Sequence, residues 1–60
     1  MDIIVERTWE VNGLLISKTW AVDQLTGKKY DCVYMVDNLE GDNLDCFGTL
    51  KEAKEYAKSY

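Results

Sequence analysis

The sequence has no histidine, no proline and only two cysteines, Cys32 and Cys46, among its 60 residues. Histidine is the commonest general base and a frequent metal ligand, so the usual means of building a catalytic or zinc site is missing. Two thiols are too few for a disulfide framework or a zinc site. We predict that both cysteines are small core residues, and we expect no enzymatic activity, no metal and no cofactor.

Long hydrophobic runs are also missing, since no stretch approaches the roughly 20 apolar residues of a membrane span. The N-terminal run, residues 3–5, follows an acid where a signal peptide carries positive charge. We therefore expect a cytoplasmic protein with reduced thiols and no membrane partner. The length allows one small domain, residues 1–60, with a marginal core that buries about 60% of the unfolded surface.

The strongest local signal that is present is the pair Asn12 and Gly13, which favours a type I′ turn because both residues adopt positive φ. Alternating hydrophobic runs flank it over residues 3–11 and 14–22. A two-residue turn fixes the register of a hairpin. The predicted partners on the apolar face are Val11 with Leu14, Trp9 with Ile16, Arg7 with Lys18, Val5 with Trp20, and Ile3 with Val22.

A third strand is predicted over residues 29–36. The loop before it can be closed by Gly27 in a left-handed conformation and capped by the Asp23 side chain. Apolar residues on both sides indicate a strand that is covered on both faces or central in the sheet. Alternation places Tyr30, Cys32, Tyr34 and Val36 on one side, and Asp31, Val33 and Met35 on the other.

A short fourth strand is predicted over residues 44–47, after a polar turn. A turn centred on Leu39 would place Cys32 opposite Cys46 and Tyr34 opposite Leu44. This strand completes an antiparallel sheet of three to four strands.

The chain ends in a helix that begins with a capping box, in which Thr49 caps the backbone and Glu52 reaches back. The helix must pack on the sheet, since about twelve residues do not stay helical alone. Its apolar stripe consists of Leu50, Ala53, Tyr56, Ala57 and Tyr60. The predicted fold is therefore α+β, an antiparallel meander with one C-terminal helix on one face.

Charge is unevenly distributed along the sequence, because residues 31–45 contain five acids and no lysine or arginine. One interpretation is a solvated loop, and the other is an acidic lobe that binds a basic surface of a partner protein. The spacing fails the calcium-loop pattern, because Leu39 and Gly41 stand where oxygen ligands are needed. The predicted lobe consists of Asp31, Asp37, Glu40, Asp42 and Asp45.

Arg7 and Lys18 face each other on the otherwise apolar side of the hairpin. Their stems can lie along the margin of the helix with their charges in water, or they can contact an anion. Trp9 and Trp20 share this face, as core residues or, where uncovered, as partner contacts.

We also expect a homodimer, since small domains gain stability by association. The expected surfaces are the outer hairpin face around Ile4, Leu15 and Ala21, or an unpaired strand edge.

Four groups of residues follow a recognisable order: Trp20, Thr26-Gly27-Lys28-Lys29, Cys46-Phe47-Gly48-Thr49 and Glu52-Ala53. On these, residues 20–60 resemble the three-strand-plus-helix modules of phage integrase arm-binding domains and plant ethylene-response DNA-binding domains. The resemblance implies a nucleic-acid-binding module as the alternative function. Phosphate binding requires a basic stripe, and none here is longer than Lys28 and Lys29.

Size, acidity and aromatic content are similar to those of small phage-encoded anti-defence proteins, including anti-CRISPR proteins. This similarity implies a non-enzymatic inhibitor of phage or mobile-element origin, which acts as a DNA mimic on a host nucleic-acid-binding protein. We expect a protein partner with a basic surface and no direct contact with nucleic acid.

Overall fold

The computed structural model describes residues 2–60, which form an antiparallel sheet and one helix. The four strands lie in chain order, with each strand hydrogen-bonded to the next. The predicted α+β meander with a C-terminal helix is therefore confirmed. The elements are β1 (Asp2–Val11), β2 (Leu14–Val22), β3 (Lys29–Asn38), β4 (Asn43–Phe47) and α1 (Leu50–Lys58).

The first hairpin turns as predicted, with φ of 51° at Asn12 and 78° at Gly13. Both values are positive, as a type I′ turn requires. The register is also confirmed for the five rungs nearest the turn. These rungs are Val11 with Leu14, Glu10 with Leu15, Trp9 with Ile16, Thr8 with Ser17, and Arg7 with Lys18.

Beyond those rungs the predicted register is wrong, because β1 has a bulge at Glu6. Trp20 lies opposite Ile4 rather than Val5, and Ile3 lies opposite Ala21 rather than Val22. A shift of one residue moves side chains to the other face of a sheet. A two-residue turn thus determines pairing only as far as the first extra residue.

A second bulge, in β3, corrects the predicted alternation of that strand. Trp20 faces two residues of β3, since Thr19 pairs with Val33 and Ala21 pairs with Tyr30. Asp31 lies in the bulge with a φ of 49°. Tyr30 therefore lies on the same face as Val33, and not on the predicted face with Tyr34 and Val36.

The β3–β4 turn is centred later than predicted. Cys46 pairs with Met35 and Phe47 with Tyr34, so the pairings of Cys32 with Cys46 and of Tyr34 with Leu44 are wrong. Two features are responsible: Gly41 adopts a φ of 96°, and a third bulge leaves Leu44 of β4 as an extra residue between Asn43 and Asp45. A type I turn followed by a left-handed residue makes a three-residue loop, over residues 39–41.

The helix covers only one end of the sheet. Thr49 caps it, and its hydroxyl accepts a hydrogen bond from the Glu52 backbone N–H at 3.3 Å and donates one to the Glu52 carboxylate at 3.0 Å. Tyr60 lies beyond the helix and is exposed, contrary to the predicted stripe. The buried cluster beneath the helix consists of Leu14, Ile16, Val36, Ala53 and Ala57.

Asn12 joins the hairpin turn to the end of the helix. Its side-chain amide donates a hydrogen bond to the Ala57 carbonyl oxygen at 3.1 Å. Carbonyl groups in the last turn of a helix lack partners within the helix. One residue therefore forms the turn and holds the helix against the same end of the sheet.

Candidate functional site

Four of the five predicted acids lie in and beside the β3–β4 turn, and we call Asp37, Glu40, Asp42 and Asp45 the acidic turn. Asn38 organises this segment. Its side-chain oxygen accepts hydrogen bonds from the backbone N–H groups of Glu40 and Asp42, at 3.0 and 2.9 Å. Its backbone N–H donates to the Asp42 carbonyl oxygen at 2.9 Å. The acids are thus carried by an ordered turn rather than a long loose loop.

No basic side chain neutralises the acidic turn within residues 2–60, where both ion pairs involve Glu6. Hydrogen bonds from uncharged groups hold three of its carboxylates: Asp37 accepts from the Asn43 amide at 3.0 Å, Asp42 from the Asn38 amide at 3.4 Å, and Asp45 from the Cys46 backbone N–H at 2.7 Å. The four negative charges are therefore available to an external partner.

Asp31 does not belong to the acidic turn, contrary to the predicted five-residue lobe. It lies near the start of β3, whereas Asp37 lies near its end. Six residues of extended strand separate the two Cα atoms by about 20 Å. The acids are contiguous in sequence, but the strand between them carries Asp31 to the other end of the sheet.

The two tryptophans have different environments, although both are half-buried. Trp9 packs against the buried cluster, 6.3 Å from the Tyr34 ring, with the Arg7 guanidinium 5.0 Å from its centroid. Trp20 lies at the end of the sheet away from the helix and is not part of that cluster. Of the two alternatives, a core position holds in part for Trp9, whereas Trp20 lies outside the core, and its role as a partner contact stays a prediction.

Glu6 gathers the polar side chains around Trp20, a role that the sequence did not indicate. Its carboxylate lies 3.0 Å from the Lys18 ammonium and accepts a hydrogen bond from the Trp20 indole at 3.2 Å. Lys29 lies 3.9 Å away. The hydrogen bond from Lys18 lowers the pKa of Glu6, and the same contact raises the pKa of Lys18. The charge of Lys18 opposite Arg7 is thus compensated.

Neither cysteine is a core residue, contrary to prediction. Cys46 is exposed and Cys32 is half-buried, and both thiols are free. Cys46 pairs with Met35, whereas Cys32 follows the alternation of Tyr34 and Val36 and so lies on the opposite face. A sheet therefore separates the two thiols, and they cannot form a disulfide without rearrangement.

Neither a cluster of metal ligands nor a membrane-spanning helix is found within residues 2–60. No three cysteine and acidic side chains come close enough together to hold a metal ion. The single described helix is too short to span a membrane.

Comparison with known proteins gives no relative. The chain matches no protein-family model, no curated protein and no solved structure. Function must therefore be argued from the residues themselves.

Proposed function

We propose that this chain is a small cytoplasmic, non-enzymatic inhibitor whose acidic turn binds a basic surface on a nucleic-acid-binding protein. The observation that carries the proposal is the set of four carboxylates held on an ordered turn without a basic neighbour in the described chain. Such a surface can occupy the groove that a partner uses for phosphate groups, in the manner of a DNA mimic. An anti-defence role of phage or mobile-element origin is the biological setting that we propose.

The physical basis for such binding is electrostatic complementarity. A cluster of like charges steers a partner of opposite charge and suppresses other partners. Preordering by Asn38 lowers the conformational entropy lost on binding. Each exposed acid contributes little alone, so the four should act together.

The alternative, a nucleic-acid-binding module, receives less support from the sheet. In a module of that kind we expect basic side chains on the face turned away from the helix, where phosphates can reach them. That face here carries apolar residues, among them Ile3, Val5 and Val33. The acidic turn adds charge of the repelling sign.

The test neutralises the acidic turn without changing its shape. The variant combines Asp37→Asn, Glu40→Gln, Asp42→Asn and Asp45→Asn, changes that suit a turn. Wild type and variant are immobilised, nuclease-treated lysate of the source cell is passed over them, and captured proteins are identified by mass spectrometry. We expect a nucleic-acid-binding protein that is captured by wild type, is released by rising salt, and is lost with the variant.

A matched control removes four charges elsewhere, with Asp2→Asn, Glu10→Gln, Asp31→Asn and Glu55→Gln. It has the same net charge as the first variant and retains the acidic turn. We expect this control to capture the partner and to inhibit its binding to labelled DNA, as wild type does. Equal capture by both variants would rule out the acidic turn as the binding site. Direct binding of labelled DNA by the wild-type chain would favour the alternative function.

A further inference from the structure

The face of the sheet opposite the helix carries a continuous apolar surface. The bulge at Glu6 places Val5 opposite Thr19 and Ile3 opposite Ala21, on the side away from the helix. In β3 and β4 the pair Met35 and Cys46 extends the same side. We call this set the outer face, and it consists of Ile3, Val5, Thr19, Ala21, Val33, Met35 and Cys46.

The outer face has both a ridge and a groove. Ile3 and Val5 on the edge strand are 61% and 58% exposed, whereas Thr19 and Ala21 on the neighbouring strand are only 6% and 9% exposed. A shallow depression of about 260 Å³ lies over this floor and is bounded on its far side by Val33 and Met35. The Thr19 hydroxyl is satisfied within the sheet, because it donates to the Val33 carbonyl oxygen at 2.8 Å. The floor is therefore apolar in effect.

We infer that the outer face binds the outer face of a second copy of this chain about a two-fold axis. A symmetric contact requires one surface that is complementary to itself. Here the Ile3 and Val5 ridge of each copy can enter the groove over Thr19 and Ala21 of the other. The two sheets then stack face to face, at the roughly 10 Å spacing of packed sheets, with a helix on each outer side.

The size of the face indicates a weak dimer. The molecule extends 39 × 22 × 15 Å, and the outer face occupies about half of the sheet. A contact of that size is smaller than the roughly 800 Å² that each partner contributes to a standard interface, so we expect association only at high protein concentration. The radius of gyration, 12.0 Å, also exceeds the value of about 10 Å expected for a compact chain of this length. The exposed sheet accounts for that extended form.

The charges also permit the stacking of two acidic copies. Asp31 borders the depression, and the acidic turn begins at Asp37, which pairs with Leu15 and lies two residues beyond Met35 at the edge of the outer face. A two-fold axis through the apolar end carries the two acidic turns away from each other. The dimer leaves both acidic turns free, so this proposal and the proposed function can fail independently.

The first test is sedimentation velocity from 1 µM to 1 mM protein on wild type, Val5→Lys and Ile4→Lys. Val5 and Ile4 are adjacent on the same exposed edge strand but point to opposite faces. We expect wild type to dimerise, Val5→Lys to weaken dimerisation at least tenfold, and Ile4→Lys to change it less than twofold. A monomeric wild type up to 1 mM, or equal weakening by the two variants, would overturn the proposal.

The second test needs no substitution and uses the two cysteines as probes. Cys46 lies on the outer face and Cys32 on the other face, so maleimide labelling followed by peptide mass spectrometry reports on each separately. As protein concentration rises through the dimer range, we expect labelling of Cys46 to slow at least fivefold relative to Cys32. A constant ratio of the two rates would exclude the outer face as the contact.

Discussion

The two ends of the sheet contrast sharply. At the end next to Asn12 and Gly13, the β1–β2 and β2–β3 ladders are regular, the helix covers one face, and all residues of the buried cluster lie there. At the other end, two bulges interrupt the ladder, and Ile3 and Val5 are more than half exposed. We call these the covered end and the open end.

The contrast shows how the single strand β1 contributes side chains to the core at one end and to the opposite face of the sheet at the other. At the covered end, alternation places Trp9 and Val11 toward the helix. The bulge at Glu6 then reverses the alternation, so that Ile3 and Val5 face away from it. Stability should therefore be concentrated at the covered end, while the open end presents apolar surface at little cost to the core.

The largest effect should come from the core of the covered end. Ile16 has no exposed surface, so Ile16→Ala leaves a cavity and should lower the free energy of unfolding by about 3 kcal/mol. Val5→Ala removes a side chain that is 58% exposed, and should lower it by less than about 1 kcal/mol. Urea titration followed by circular dichroism, at a concentration where wild type is monomeric, measures both. Equal losses would show that the two ends share one core.

A second, smaller effect separates the two roles of Asn12. Asn12→Gly keeps the positive φ but removes the hydrogen bond to Ala57, and should cost about 1 kcal/mol. Asn12→Ala also strains the turn and should cost about 2 kcal/mol. Hydrogen exchange of the helix amides provides the second readout. If Asn12→Gly leaves both stability and exchange unchanged, the contact with the helix contributes nothing.

The first hairpin turn and the start of the helix could be predicted from the sequence because their signals are local. A two-residue turn and a capping box each specify backbone conformation within a few residues. The bulges could not be predicted this way, because the extra residue at Glu6 is stabilised by Lys18 and Lys29 on other strands. These contacts form only when the strands pair in the register that the bulge produces, so the sequence alone does not reveal them.

The candidate site was predictable to a similar degree. Four acids within nine residues of a turn stay together in any strand register, so their grouping was predicted correctly despite the error in strand pairing. The predicted positions of Asp31 and the two cysteines were wrong, since these depend on the bulge and on the true centre of the β3–β4 turn. Burial of a small apolar residue cannot be inferred when its face is unknown.

A third prediction concerns the bulge at the open end. Asp31 has a φ of 49°, a conformation that costs most residues about 1 kcal/mol and glycine little. Asp31→Gly should therefore leave stability unchanged or raise it by less than about 1 kcal/mol. Asp31→Val should lower it by about 1–2 kcal/mol, because a β-branched residue resists positive φ. Equal stability of these variants would show that β3 can pair without the bulge.

The smallest effect concerns the pH dependence of the open end. The hydrogen bond from Lys18 lowers the pKa of Glu6 in the folded chain below its ordinary value of 4.5. A lowered pKa means that the folded state favours the carboxylate, so this contact stabilises the fold above pH 4.5 and is lost as the pH falls through the folded-state pKa. Thermal melts of wild type and Glu6→Gln should differ at pH 7, and the difference should shrink as the pH falls through the folded-state pKa of Glu6. Glu10→Gln is the matched control on the same strand, since it removes one charge and leaves the Lys18 contact in place. We expect its melting temperature to follow that of wild type at every pH.

If the Glu6→Gln curve also runs parallel to that of wild type, water rather than Lys18 solvates the Glu6 carboxylate. The ion pair between Glu6 and Lys18 then does not stabilise the open end of the sheet.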